Sequence, residues 1–103
     1  MKMIAAMVQD QDAYELLGAL VEKGYRATRF QTTGGFLQRS NVAVFVGVED
    51  AEVERALEII REHCQTRKTK VYPSEAPHLL EPMEVEIGGA VIFVWDVEKF
   101  ERM

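Results

Sequence analysis

The 103-residue sequence contains one cysteine, Cys64, and no long run of apolar residues. A single cysteine excludes an internal disulfide and is typical of a reducing compartment, so we expect a cytoplasmic protein. Apolar runs such as Ala90–Trp95 are too short to cross a membrane, since a spanning helix needs about 20 apolar residues. The apolar start, Met1–Val8, lacks the small-residue cleavage site of a signal peptide and is interpreted as a first strand.

Residues suited to metal binding or catalysis are few. His63 and Cys64 are neighbours that would point in different directions on a helix, and His78 lies far along the chain. A zinc site needs more ligands at suitable spacing, and Cys64 has no evident partner to activate it as a nucleophile. An acylphosphatase-like hydrolase would need an arginine loop near the N-terminus, and none is found. We therefore predict a protein that is not an enzyme and has no metal and no cofactor.

Acidic residues are absent between Lys23 and Val48, although the whole chain has a formal charge of −5. This basic stretch contains Thr28–Asn41, which reads TRFQTTGGFLQRSN and has two adjacent glycines. Glycine amides can approach a phosphate closely because no Cβ intervenes, and arginine offers paired donors to phosphate oxygens. The segment therefore predicts a site for a small anionic ligand. A nucleic-acid polymer is not expected, since it would need a broad basic face.

Hydrophobic patterning predicts the order β-α-β-β-α-β with an added strand and a C-terminal helix. The first helix is expected to be capped by Asp12 in a capping box with Glu15, and to end at Gly24. Asp50 and Asp96 are the expected caps of the second helix and of the short final helix. The expected strands are Met1–Val8, Tyr25–Gln31, Asn41–Val48, Met83–Ile87 and Ala90–Trp95.

This order predicts a single α+β domain over residues 1–103 with a ferredoxin-like fold. In that fold two helices cover one face of an antiparallel sheet. Loops are expected at about residues 32–40 and 66–82, with Val71-Tyr72 as a candidate strand in the second. Strands such as Val42–Val48 and Ala90–Trp95 are apolar on both faces. Because the helices cover only one face, we predict a homo-oligomer that covers the other.

Several short motifs are distributed along the chain. They are VQDQDA (Val8–Ala13), YRATRF (Tyr25–Phe30), TTGGFL (Thr32–Leu37), Asn41, GVED (Gly47–Asp50) and VEIGGAVIFV (Val85–Val94). Together they resemble the cyclic di-AMP receptor proteins, which belong to the P-II-like signal transducers. The resemblance covers nearly the whole chain, and the combination of VQDQDA with TTGGFL at this spacing is fairly specific.

The resemblance implies a P-II-like subunit, a homotrimer, and a cyclic di-AMP pocket at each subunit interface. It implies that an adenine lies between the equivalents of Gly35, Phe36 and Leu37. The resemblance also implies that ligand binding rearranges the two long loops. A protein target, which the sequence does not identify, would recognise this change. The ligand-binding residues implied by the resemblance are Arg26, Thr28, Gly35, Phe36, Leu37, Asn41 and Gly47. The argument from glycine amides adds Gly34 to this predicted site.

Four positions depart from the pattern of these receptors. Ser40, Val42 and Ala43 stand in a segment that is usually Gly-Asn-Thr-Thr, and Arg102 stands where a glutamine can reach a neighbouring pocket. We expect the altered segment to reshape the base pocket. Two alternatives follow: a P-II-like regulator that binds ATP or another adenine nucleotide, and a structural oligomer that has lost its ligand.

Overall fold

The computed structural model describes residues 1–32 and 42–103. Within them the chain forms six strands, two helices and one 3-10 turn. In chain order these are β1 Lys2–Val8, α1 Asp10–Glu22, β2 Arg26–Gln31, β3 Val42–Val48, the 3-10 turn Asp50–Glu52, α2 Val53–His63, β4 Arg67–Val71, β5 Met83–Ile87 and β6 Ala90–Asp96.

The main sheet has four antiparallel strands in the order β2-β3-β1-β6. Ile4 in the central strand β1 lies opposite Val46 of β3 and Val94 of β6. Since the first and third strands lie at the centre of the sheet, the ferredoxin-like prediction is confirmed. Strands β4 and β5 form a separate antiparallel hairpin between α2 and β6.

The hydrophobic core lies between the sheet and both helices. Alternate residues of β1 and β3 point to this face, where Ile4 and Val44 are fully buried. They pack with Leu16 and Leu20 of α1 and with Ile60 of α2. The helices therefore occupy one face of the sheet, as predicted, and the second face is left without a covering layer from the described residues.

The expected capping role of Asp12 is wrong. The N-cap residue of α1 is Gln9, three positions earlier, and the helix begins at Asp10. Asp12 is instead buried within the first turn, and its Oδ1 accepts a hydrogen bond of 2.8 Å from the Arg67 guanidinium. A buried carboxylate needs such a partner, and the partner here lies at the base of the hairpin. Asp12 thus attaches β4 to α1.

The segment 66–82 is also more ordered than expected. Strand β4 occupies Arg67–Val71, so the irregular connection is limited to residues 72–82. Lys68 and Lys70 lie opposite Glu86 and Glu84 of β5, and opposite charges on paired strands stabilise their pairing. Strand β4 is mainly polar and has no alternation of apolar residues. Its sequence alone therefore does not predict a strand, and its pairing with β5 is what identifies it.

The short helix expected after Asp96 does not form. No helix occurs from Val97 to Met103, and the backbone N–H of Val97 donates instead to the Met1 carbonyl at 3.1 Å. The Lys2 ammonium pairs with the Asp96 carboxylate. These bonds hold the residues after β6 against the N-terminus.

Asp50 does not cap α2 either. Asp50 is the first residue of the 3-10 turn, whose N-cap residue is Glu49. Helix α2 follows at Val53, and its N-cap residue is Glu52. The Asp50 carboxylate binds the N-terminal ammonium of Met1 at 2.9 Å, and this bond holds the pKa of that ammonium above its usual range. Asp50 therefore pins the N-terminus next to the start of α2.

Candidate ligand-binding site

Three of the predicted ligand-binding residues meet on the sheet face opposite the helices, here called the open face. Directly paired residues in antiparallel strands point to the same side of a sheet. Arg26 lies opposite Gly47, and Thr28 lies opposite Phe45. The register of β2 against β3 therefore places Arg26, Thr28 and Gly47 side by side, although Gly47 is far from the other two in sequence.

A cavity of about 660 Å³ lies at this end of the open face, and Arg26, Thr28 and Gly47 all line it. A volume of this size suits a small molecule or a nucleotide. Side chains from the N-terminus and from the segment after β6 also line it. These are Met1, Met3, Val97 and Phe100.

Aromatic rings form the apolar part of the cavity wall. Phe30 meets Phe45 edge to face, with ring centroids 5.2 Å apart, and Phe45 meets Trp95 at 6.3 Å. Phe30 and Phe45 line the cavity, and about half of the Phe30 side chain is exposed. Exposed aromatic faces can stack on a nucleobase, and each such contact contributes roughly 1–3 kcal/mol in single-strand binding proteins.

Basic side chains line the other part of the cavity. They are Lys23, Arg26 and Arg55, and none has an ion-pair partner among residues 1–32 and 42–103. Arg29, by contrast, points to the helix side of β2 and pairs with Asp10 at 3.2 Å. The alternation of β2 thus sends Arg26 to the cavity and Arg29 away from it, which explains two arginines on opposite faces of one strand.

A tyrosine–glutamate pair closes the side of the cavity next to α2. The Tyr25 hydroxyl donates a hydrogen bond of 2.6 Å to Glu52 Oε2, and both residues line the cavity. This bond, together with partial burial, raises the pKa of Tyr25 above its ordinary value. Tyr25 is therefore a neutral hydroxyl at physiological pH, fixed in orientation by Glu52.

Five of the predicted ligand-binding residues, Gly34, Gly35, Phe36, Leu37 and Asn41, lie outside the described residues, as does Ser40. The next two positions are described, and alternation separates them. Val42 belongs to the core beneath the helices, whereas Ala43 lies on the open face opposite Phe30. Of these two departures from the receptor pattern, only Ala43 is on the open face of the sheet.

The model of the cyclic-di-AMP receptor family matches residues 1–103, the whole chain. The chain belongs to the cyclic-di-AMP receptor family. Membership supports a signalling protein that binds the dinucleotide. The fold is also found in a crystal structure described as that of a functionally unknown protein from Pediococcus pentosaceus, which is 38% identical. The match has a TM-score of 0.80 and covers 99% of this chain and 96% of that chain.

Several lining residues of this receptor-family member were not predicted as site residues. Arg55 lies in the first turn of α2, and Phe100 lies in the segment for which a helix was expected. Lys23 is the first residue of the basic stretch and is not among the predicted ligand-binding residues. Local patterns contain no signal for Arg55 or Phe100, because both reach the cavity only through the packing of distant elements.

In the described part of the receptor, no cluster of three or more His, Cys, Asp or Glu side chains could hold a metal ion. Among the same residues, no helix is long and apolar enough to cross a membrane. Arg102 is exposed in the segment after β6.

Cys64 is expected to react slowly with thiol reagents in the folded receptor. It is 4% exposed, and burial, helped by the charge of Asp12, raises the pKa of its thiol to about 11. The thiolate is the reactive form of cysteine. Because the pKa of Cys64 is about 11 instead of 9.0, about 100-fold less thiolate is present at pH 8 than in an ordinary cysteine. Labelling with Ellman's reagent should become about tenfold faster per pH unit up to pH 10.

The same thiol should label at the ordinary rate in guanidinium, which provides the control. The thiol ionises at a lower pH in the unfolded chain than in the folded protein. The resulting contribution of Cys64 to the free energy of unfolding is therefore present below pH 8 and is lost as the pH rises toward 11. Rapid labelling of the folded protein at pH 8 would contradict the buried, protonated Cys64.

Proposed function

We propose that the protein is a non-enzymatic receptor that binds cyclic di-AMP in the open-face cavity. The observation that carries the proposal is the meeting of Arg26, Thr28 and Gly47 at a cavity of about 660 Å³, in a chain that matches the receptor family throughout. The guanidinium suits a phosphate, the threonine hydroxyl suits a polar base or ribose group, and the aromatic wall suits an adenine. The proposal assigns the rest of the adenine contacts to Gly34, Gly35, Phe36, Leu37 and Asn41.

The proposal includes a P-II-like homotrimer with the ligand between subunits. Its support is the open face, where Phe93 and Trp95 are both more than 40% exposed. Contiguous exposed apolar surface of this kind marks an interaction site. A second copy that covers this face would also close the cavity. The proposal further places the receptor in the cytoplasm, in accord with its single, buried and unpaired cysteine.

Signalling in this proposal occurs through conformational change. A receptor with no catalytic group must alter a surface that another protein recognises. The two candidate segments are the loop at about residues 32–40 and the β4–β5 hairpin with its connection 72–82. The second projects from the main sheet as a two-stranded ribbon, and such ribbons are only marginally stable alone.

Calorimetric titration of the purified protein with cyclic di-AMP, cyclic di-GMP and ATP tests the function. We expect saturable binding of cyclic di-AMP and weaker binding of the other two. Arg26→Gln should weaken cyclic di-AMP binding by about tenfold or more, because it removes a charge-assisted contact to phosphate. The matched control is Arg61→Gln, which removes an exposed arginine from the last turn of α2, outside the cavity lining.

Two results would oppose the proposal. If tens of micromolar cyclic di-AMP produced no heat of binding and no shift in melting temperature, the proposed function would be wrong. Tight ATP binding without a response to cyclic di-AMP would favour an ATP-binding regulator in its place.

A further inference from the structure

The cavity extends beyond the end of the sheet to the start of α2. This end is lined by Lys23 in the turn after α1, and by Glu52 and Arg55 around the first turn of α2. We infer that Lys23 and Arg55 form a second anion-binding element, here called the outer cation pair, which takes a phosphate group of the nucleotide ligand. The inference rests on the proposed function insofar as the ligand is a dinucleotide.

Neither cation of the outer pair is neutralised by the described residues. No ion pair joins Lys23 or Arg55 to an acid within residues 1–32 and 42–103. The position of Arg55 is also unfavourable for the helix itself. It lies in the first turn of α2, where the helix dipole favours negative charge. Lys23 follows the end of α1, where a cation is favourable, so Arg55 is the stronger sign of an external anion.

The acids that line this end of the cavity, Glu49 and Glu52, form no ion pair with Lys23 or Arg55 in the described part of the chain. Glu52 accepts the Tyr25 hydroxyl at 2.6 Å. Glu49 lies beside Asp50, and both contribute to the raised pKa of the N-terminal ammonium, Asp50 more strongly through its hydrogen bond. The Glu52 carboxylate therefore contacts Tyr25, and the Asp50 carboxylate contacts the N-terminus. The two outer cations remain available to a ligand in the cavity.

Arg55 lines the same cavity as Tyr25, whose hydroxyl is fixed by Glu52. The hydrogen bond to Glu52 is the main cause of the raised pKa of Tyr25, and the positive charge of Arg55 opposes it. The lining of one cavity thus includes the outer cation pair and Tyr25 as well as the apolar rings of Phe30 and Phe45. A ligand that contacts both groups of residues needs an apolar ring and an anionic group.

A cyclic dinucleotide meets this requirement with its two phosphodiester groups, which lie on opposite sides of its ring. Because the two phosphodiester groups lie on opposite sides of the ring, Arg26 can bind only one of them closely. The outer cation pair supplies the positive charge for the second. A ligand with a single phosphate would leave one of the two cationic elements unused, so the outer pair also favours dinucleotides over mononucleotides.

Titration of cyclic di-AMP into Lys23→Gln, Arg55→Gln and the double variant tests the outer cation pair. Each single substitution should weaken binding by about three- to tenfold at low salt, since exposed charges are partly screened. The double variant should weaken it further, and the losses should shrink in high salt. Lys23→Arg and Arg55→Lys should recover most of the affinity. Arg61→Gln should stay within about twofold of wild type.

Circular dichroism and melting of each variant show whether it is folded, and AMP is the comparison ligand. The preference for cyclic di-AMP over AMP should fall in the double variant, an effect that a merely structural role would not produce. If wild type binds cyclic di-AMP and both glutamine variants match the Arg61→Gln control, the inference is wrong while the proposed function stands. If wild type does not bind the dinucleotide, the proposed function fails and this inference fails with it.

Discussion

Replacing Gly88 with alanine is expected to lower the free energy of unfolding by about 2–4 kcal/mol. Gly88 has a φ of 84°, a left-handed conformation that disfavours every side chain with a Cβ. A Cβ added there would lie 2.3 Å from the Gln65 carbonyl oxygen, which is backbone and cannot turn aside. Chemical denaturation at a fixed protomer concentration measures the effect, because assembly also contributes to apparent stability.

The hairpin base explains why this strain would be costly. The Gly88 N–H donates to Gln9 Oε1 at 2.8 Å, and the Gly89 N–H donates to the Cys64 carbonyl at 2.7 Å. Relief of the clash would break these bonds, and hydrogen exchange in β4 and β5 should rise first. Gly18→Ala is the matched control: Gly18 is exposed within α1 with nothing within 4 Å, so alanine should stabilise by about 0.5–1 kcal/mol. Equal stability of the Gly88→Ala protein and wild type would contradict this account.

Trp95→Glu is expected to convert the proposed trimer to a monomer. Trp95 lies on the open face of β6, 45% exposed, and packs edge to face on Phe45. If a second copy covers this face, the glutamate would bury an unpaired charge at the interface, which costs several kcal/mol per ion. Size-exclusion chromatography with light scattering measures the mass directly. Loss of the trimer should also weaken cyclic di-AMP binding, since the cavity would be left open on one side.

Val21→Glu provides the control for this prediction. Val21 is an apolar residue on the outer side of α1 with 56% exposure, so the substitution adds the same charge away from the open face. Its mass and binding should match wild type. A wild-type protein that is monomeric at micromolar concentration, or a Trp95→Glu protein that remains a trimer, would refute the proposed interface.

The sequence predicted most of the fold because its strands and helices carry strong periodic signals. The apolar stretches around β1, β3 and β6 and the helical spacing of Leu16 and Leu20 correspond to observed elements. Predictions that depended on a single end residue were less successful. Asp12 and Asp96 each resembled a helix cap, but each binds a basic residue from a distant part of the chain. A side chain with a local partner and a distant one cannot be assigned from local sequence alone.

The candidate site, like the fold, was predicted in part from the sequence and depends in part on the tertiary structure. The sequence determined the residue types that an anionic nucleotide requires, namely a glycine-rich basic segment and, in β2, Arg26 and Thr28 on the same side of the strand. The tertiary structure decided which of them face the same cavity, because the pairing of β2 with β3 brings Gly47 beside Arg26. It also brought in Arg55 and Phe100, whose contribution depends on where α2 begins and on how the chain returns past the N-terminus. Strand alternation is a local property, whereas register and helix placement depend on packing across the whole chain.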